Sequence, residues 1–276
     1  MQDLRIALVQ MQSVVGETPG NLAKIKKFVS EAGSTGVNVI CFPELAVHGY
    51  SREFAADLAE KIPGYTSEFL SDLARRQKVT ILAGIIEKAE TAKPYITQLV
   101  CFPDGSFDKY RKTHLGASEK PYFSPGEELP VFSGPQGNFA IQICWDLHFP
   151  EVSAIYSLNG AEIIFAPHAS PTIIGNRREI WLRYLTARAY DNSVFLASCN
   201  LLGENGKGSD FCGGLLVIDP KGQVLAEDFS EREKLLIVDL PRKTINKIRY
   251  EARRSMRDSF YLKYRRPELY KDLLKK

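Results

Sequence analysis

The chain is most constrained by the recurrence of short apolar runs, each closed by a turn or helix-starting residue and separated by longer amphipathic stretches. Leu4 to Val9 reads as a buried strand, Asn21 to Ala32 as an amphipathic helix ended by Gly33, and Val37 to Phe42 as the next strand. Pro43 removes a ladder donor, so the strand stops there and Glu44 projects at the rim of a sheet. A helix from about Ser67 to Gln77 and a strand from Val79 to Ile86 repeat the pattern.

In the middle of the chain the rhythm changes. Gln98 to Phe102, the turn Pro103-Asp104-Gly105-Ser106 and the segment from Phe107 read as a hairpin. Asn138 to Ile143 is a strand running into Cys144, and Pro150 to Leu158 is the helix after it, closed by Asn159-Gly160. Strand Glu162 to Ala166, helix Arg177 to Asp191 and strand Val194 to Ser198 follow. Gly214 to Ile218 and Gln223 to Ala226, joined by Asp219-Pro220-Lys221-Gly222, form a second hairpin; Leu235 to Leu240 is a last strand before a helix-rich tail. Such alternation argues an α/β chain with helices outside. A single doubly wound parallel sheet is the alternative, but two hairpins favour two mixed sheets packed face to face. No linker or short repeat interrupts the 276 residues, so one domain over 1–276 is expected, with about 250–276 as a C-terminal tail that contacts another subunit.

Composition excludes several classes. The net charge of +3 is small, and the basic excess sits in Arg253, Arg254, Arg257, Lys263, Arg265 and Arg266, interleaved with Glu251, Asp258 and Glu268. A nucleic-acid surface needs a sustained face of one sign, so no nucleic-acid partner is expected. The five cysteines Cys41, Cys101, Cys144, Cys199 and Cys212 include no C-x-x-C and are odd in number, which points to a reducing, cytoplasmic setting without a disulfide framework. The N-terminus enters a strand without a signal-peptide pattern. No run approaches the roughly 20 apolar residues of a membrane helix. His48, His114, His148 and His168 show no metal-ligand spacing, so neither a metal nor another cofactor is expected.

Three side chains with reactive chemistry share one kind of position: Glu44 beyond a strand end, Lys112 beyond the first hairpin, and Cys144 between strand and helix. Ligand sites in open α/β sheets gather at carboxyl ends of strands. A thiol at a helix start can be activated as a nucleophile, and a buried carboxylate can serve as a base. Each also has an ordinary reading, as an inert buried cysteine, a capping or surface carboxylate, and a solvated lysine.

Three motifs stand in order: Phe42-Pro43-Glu44, Tyr110-Arg111-Lys112 and Cys144-Trp145-Asp146-x-x-Phe149-Pro150-Glu151. In these the chain resembles the nitrilase, or carbon–nitrogen hydrolase, superfamily, and the likeness extends to Arg188-Ala189-x-x-Asn192 and to Arg265-Arg266-Pro267-Glu268-Leu269-Tyr270. The resemblance implies a Glu-Lys-Cys triad, a four-layer α-β-β-α sandwich and symmetric oligomers, a homodimer or higher even assembly. It further implies that Glu119 lies beside Lys112, although the loop joining them is short compared with relatives. Trp145, through its backbone N–H, together with His148, His168 and Tyr50, are candidates for substrate or oxyanion contacts. Cys-Trp-Asp looks like the amidase and N-carbamoyl-amine hydrolase branches, and Glu119-Lys120-x-Tyr122-Phe123-x-Pro125-Gly126 resembles carbamoylputrescine hydrolases. The expected reaction is hydrolysis of a small amide or N-carbamoyl amine through a cysteine thioester. The rivals are a nitrilase acting on C≡N and a catalytically silent binding or scaffold homologue.

Overall fold

The computed structural model describes residues 3–90, 93–134, 137–251, 255–256 and 259–275. The first half contains β1 (Leu4–Gln10), α1 (Thr18–Ser34), β2 (Val39–Cys41), α2 (Ala55–Leu58), α3 (Tyr65–Gln77), β3 (Thr80–Glu87), β4 (Tyr95–Cys101) and β5 (Phe107–Arg111). The second contains β6 (Phe132–Gly134), β7 (Gly137–Ile141), α4 (Pro150–Leu158), β8 (Ile163–His168), α5 (Arg177–Asn192) and β9 (Phe195–Asn200). β10 (Leu202–Glu204), β11 (Asp210–Cys212), β12 (Leu215–Ile218), β13 (Val224–Asp228), β14 (Lys234–Leu240) and α6 (Arg242–Arg249) complete the order.

These strands build two six-stranded mixed sheets, β14-β1-β2-β3-β4-β5 and β13-β12-β9-β8-β7-β6. Each has a parallel centre, β1-β2-β3 in one and β7-β8-β9 in the other, with antiparallel strands on both flanks. Successive strand residues point to opposite faces, so a strand buried on both sides is apolar throughout. Thus Ile6, Leu8, Cys41 and Leu82 of the first sheet meet Phe139, Ile141, Phe165 and Val217 of the second, and the Cys41 and Cys199 sulfurs lie 3.8 Å apart across that seam. The opposite face of the first sheet, with Val9, Ile40 and Ala83, is covered by Ile25 and Val29 of α1 and Leu70 and Ala74 of α3. Trp181, Leu185 and Ala189 of α5 cover Ala166, Leu196 and Leu216 of the second. The result is the four-layer α-β-β-α arrangement, and a single doubly wound sheet is excluded.

The helix ends follow local chemistry. Pro stands in the first turn of α1 and of α4, where the missing N–H costs nothing. The Asn176 side chain caps α5 by accepting from Glu179 N. Gly33 differs from its expected role, because α1 runs on through Ser34. A Cβ at Gly33 would lie 2.8 Å from Gln77 Oε1 and 3.3 Å from Gln77 O, so the glycine permits close approach of α1 and α3 instead of ending the helix. Strands β6, β10 and β11 were not anticipated. At three residues each they are too short to show a period.

After α6 the tail consists of short 3₁₀ turns at Tyr261–Tyr264, Pro267–Leu269 and Lys271–Leu274. Of its charged cluster, Arg253, Arg254, Arg257 and Asp258 lie outside the described residues. Among the described residues, no helix is long and apolar enough to cross a membrane.

Because Leu8 is fully buried on β1 between the two sheets, Leu8→Ala should lower unfolding free energy by about 2–5 kcal/mol through lost burial and the cavity left behind. Urea titration of both proteins measures it, and a loss below about 1 kcal/mol would show that the inter-sheet seam collapses around the gap.

Candidate active site

Strands β1, β2, β3 and β5 run in one direction within their sheet, so the segments leaving β2 and β5 emerge at the same rim. Glu44 follows β2 in a turn where Leu45 takes a left-handed φ of 53°. That turn lies directly on Gly84, on the inter-sheet face of β3. A Cβ at Gly84 would stand 2.2 Å from Leu45 N and 2.8 Å from Pro43 O, so only a glycine lets the backbone of Glu44 approach this closely. The Glu44 carboxylate is buried; Oε1 accepts from Lys112 Nζ at 2.8 Å and Oε2 from Ala169 N, beyond β8, at 2.9 Å.

Lys112 leaves β5 with its backbone held on both sides, its N–H donating to Ile96 O and its carbonyl accepting from Gly126 N. Its ammonium is 1% exposed and donates to Glu44 Oε1 and Glu119 Oε1, each at 2.8 Å. The short loop after Lys112 turns back on itself, since Gly116 N donates to Glu119 Oε2 at 2.8 Å. Tyr50 Oη also donates to Glu119 Oε1, at 2.9 Å. The loop length that set Glu119 apart from relatives therefore does not keep it from Lys112.

Cys144 sits three residues beyond β7 at a φ of 46°, opening a 3₁₀ turn, Cys144–His148, that leads into α4. Its sulfur lies 3.8 Å from Ser170 Oγ. Asp146 sets this turn: its buried carboxylate accepts from Ile143 N at 2.9 Å, Tyr110 Oη at 2.7 Å, Thr113 Oγ1 at 3.1 Å and His114 N at 2.8 Å. One carboxylate thus ties the cysteine turn to the segment that carries Lys112. Ser170 is held in turn by Asn200, which accepts from Ser170 N at 2.7 Å and donates to Ser170 O at 3.1 Å.

The family model for carbon–nitrogen hydrolases matches residues 5–250. The chain belongs to the carbon–nitrogen hydrolase family. It is 31% identical over 280 residues to an omega-amidase of Mus musculus, covering 98% of each chain. It is 32% identical over 251 residues to a nitrilase of Pyrococcus abyssi, covering 86% of this chain and 89% of that one. The amidase from Nesterenkonia sp. AN1 superposes with a TM-score of 0.84 at 28% identity, over 98% of this chain and 99% of that chain. A mutant of that amidase, with the acetamide moiety of fluoroacetamide covalently added at its active-site cysteine, superposes at 0.83 and 28% identity, over 98% and 97% of the two chains. This carbon–nitrogen hydrolase is a cysteine-dependent amidohydrolase of the amidase branch.

In this hydrolase the electrostatics follow from burial against neighbouring charge. Burial is the largest effect on Glu44 and, with the negative Glu119 nearby, outweighs the Lys112 ammonium, raising its pKa to about 7. Burial acts against the charged form of Lys112, but Glu44 and Glu119 overcome it and hold its pKa well above the ordinary lysine value. Burial, and next the charge of Glu44, push the Cys144 thiol up to about 12 against the pull of Lys112. Near neutral pH the thiol rests protonated, beside a carboxylate poised between its two forms.

The remaining candidates divide. Tyr50 joins the ionised cluster through Glu119. Trp145 is 44% exposed, with its ring 4.7 Å from His148, which lies 4.8 Å from Tyr184; these aromatics line the outer side of the cysteine turn. His168 is buried against Trp181, with ring centroids 4.8 Å apart, and its Nδ1–H donates to Ala166 O at 2.7 Å. Burial drives the His168 pKa down to about 3, so the ring is neutral. A cavity of about 650 Å³ lined by Thr113, His114, Leu115, Phe123 and Phe149, with Lys93 and Lys120, adjoins the same loop but includes none of Glu44, Lys112, Glu119 and Cys144. Among the described residues, no cluster of three or more His, Cys, Asp or Glu is placed to hold a metal ion.

The sequence reading did not single out Asp146, Ala169 N, Ser170, Asn200 or Gly84. An isolated glycine in the run Thr80-Ile81-Leu82-Ala83-Gly84-Ile85-Ile86 does signal a close backbone approach, and the other four had no comparable mark. Gly84→Ala should displace the Glu44 turn. Because a shift of about 1 Å in a reacting group can cost ~100-fold, ammonia release from a small amide should fall by about that factor in a folded protein. Turnover equal to the parent would show that Glu44 is positioned by its ion pairs alone.

Proposed function

We propose that this hydrolase cleaves the C–N bond of a small primary amide, with Cys144 as nucleophile, Glu44 as proton shuttle and Lys112 as oxyanion donor. The observation that carries the reading is the buried chain Glu44–Lys112–Glu119, with the Cys144 turn tied by Asp146 to the segment that follows Lys112. Glu44 takes the thiol proton as sulfur bonds to the carbonyl carbon, and the oxygen becomes an anion held by the Lys112 ammonium and the Trp145 backbone N–H. Protonated Glu44 then gives its proton to the departing nitrogen; the C–N bond breaks, ammonia leaves and a thioester remains. Water, deprotonated by Glu44, attacks that thioester through a second oxyanion, releasing the acid and returning the proton to sulfur. Glu119 keeps Lys112 charged throughout, and Tyr50 fixes Glu119. A positioned oxyanion donor is worth about 2.7–4 kcal/mol in the transition state, enough to offset much of the cost of drawing a proton from so weak an acid.

The amide preference is supported by the similarity to an omega-amidase and to an amidase that bears an acetamide adduct. N-carbamoyl amines are the next substrate class, on the strength of the Glu119-Lys120-Pro121-Tyr122-Phe123-Ser124-Pro125-Gly126 segment. Ammonia release from matched amide, carbamoyl and nitrile compounds separates the three. A cytoplasmic setting is supported by five unpaired thiols. The chain works as one domain in a homodimer or higher even assembly, for which the tail supplies contact; it presents Leu269, 61% exposed, and Leu274, 87% exposed, as apolar side chains that a second subunit would cover.

Cys144→Ala should abolish hydrolysis while the melting temperature stays near that of the parent, and turnover close to the parent's by a folded variant would refute the mechanism. Glu44 acts as base only when ionised, and its pKa is raised to about 7. The kcat/KM should therefore rise with pH through an apparent pKa near 7 that belongs to the coupled cluster. A profile flat from pH 6 to 8 would exclude Glu44 as the base.

A further inference from the structure

Arg177, the first residue of α5, is 6% exposed, yet its Nε and Nη2 have no hydrogen-bond partner among the described residues. The nearby carboxylates are engaged elsewhere: Glu179 with Asn176, and Glu227 with Arg178. A buried guanidinium with no counter-charge is expensive unless something else supplies the anion. The two free atoms form one edge of the guanidinium, the fork that meets both oxygens of a carboxylate.

Arg177 stands at the start of the helix that flanks the cysteine turn. The loop leading to it begins at Ser170, 3.8 Å from the Cys144 sulfur. One turn along α5, Trp181 packs on His168, and the next turn carries Tyr184, which packs on His148. Two further buried polar atoms here have no partner among the described residues, Trp181 Nε1 and His168 Nε2. Because His168 Nδ1 carries the proton donated to Ala166 O, Nε2 is an acceptor awaiting an N–H or O–H. The charge of Arg177 is felt at His148, His168 and Tyr184, and Tyr184 also lies within the field of Cys144.

We infer that Arg177 is a specificity residue that binds a carboxylate on the substrate, so that the preferred amide is anionic. The inference rests on the primary-amide reading above: ammonia is then the leaving group, and only the acyl chain can carry the charge. Arg177 takes that terminal carboxylate through Nε and Nη2, while the amide end reaches Cys144 and Lys112. A hydroxyl or amino substituent beside the carboxylate would also satisfy His168 Nε2.

Two measurements test it. The first is the kcat/KM for succinamate and glutaramate relative to that for uncharged butyramide. The parent should favour at least one of the carboxylates, and Arg177→Met should cut that ratio by about 100-fold, the usual scale for removing one partner of a buried charge pair. Arg177→Lys, a point charge without the fork, should recover part of it. The second is calorimetric binding of succinamate and glutaramate to the Cys144→Ala protein, which needs no turnover; binding should be lost in the double variant Cys144→Ala/Arg177→Met. Removing an unpaired buried charge should leave the melting temperature unchanged or raise it, so misfolding is read separately. No carboxylate preference in the parent, or the same ratio in Arg177→Met, overturns the inference. If no amide is hydrolysed but Arg177-dependent binding persists, the hydrolytic reading fails and the carboxylate site stands; if binding is also indifferent to Arg177, both fall.

Discussion

An ammonium clamped between two carboxylates, away from water, is the interaction on which the rest depends. Lys112 could not stay charged at 1% exposure without Glu44 and Glu119, and neither carboxylate could be buried there without Lys112. The arrangement tolerates no missing member, because deleting one leaves an uncompensated charge that costs several kcal/mol, about 3–5 by analogy with buried pairs. It also requires three segments to arrive together: the turn after β2, the end of β5 and the loop that returns Glu119. Two stacked sheets with β2 and β5 running the same way meet that requirement, and the Ala169 N–H donating to Glu44 Oε2 locks the second sheet to the cluster.

What the sequence disclosed and what it concealed follow one physical division. The strands β1, β3 and β8 and the helices α1, α4 and α5 could be read because burial on both faces, or on one helical stripe, repeats over many residues. Pro43-Glu44 and Cys144 could be placed because each interrupts such a run. Gly33 lies inside α1 and does not stop it; a glycine needed for helix-to-helix contact and one needed for a left-handed cap look alike in one dimension. Asp146 was visible only as part of a motif. Its function is to join residue 143 to residues 110, 113 and 114, and no local pattern announces a partnership across that separation. Arg177 was hidden more deeply, because beside Arg178 it reads as one of a solvated pair, and only the fold shows that one arginine faces Glu227 while the other is buried.

The charges around the cysteine form a graded field. With Glu44 ionised, the Glu44–Lys112–Glu119 group carries one excess negative charge, which repels an anionic ligand. Arg177 supplies a positive charge on the α5 side and can offset that repulsion at the place where a carboxylate would bind. A ligand charged at one end only is then oriented by the field as well as by contacts, with its neutral amide toward the glutamates and its anionic end toward the guanidinium.

Cys144 is held under backbone strain. A non-glycine residue at a φ of 46° costs of order 1–3 kcal/mol and persists only where the surroundings over-determine it. Here the over-determination is Asp146, whose four accepted hydrogen bonds hold the turn against relaxation. Hydrogen bonds to a charged group contribute about 1.5–3 kcal/mol each, so two of them suffice to outweigh the strain. The same carboxylate fixes Thr113 and His114, directly after Lys112. The strained cysteine turn and the segment that follows the ammonium proposed to receive the oxyanion therefore share one anchor.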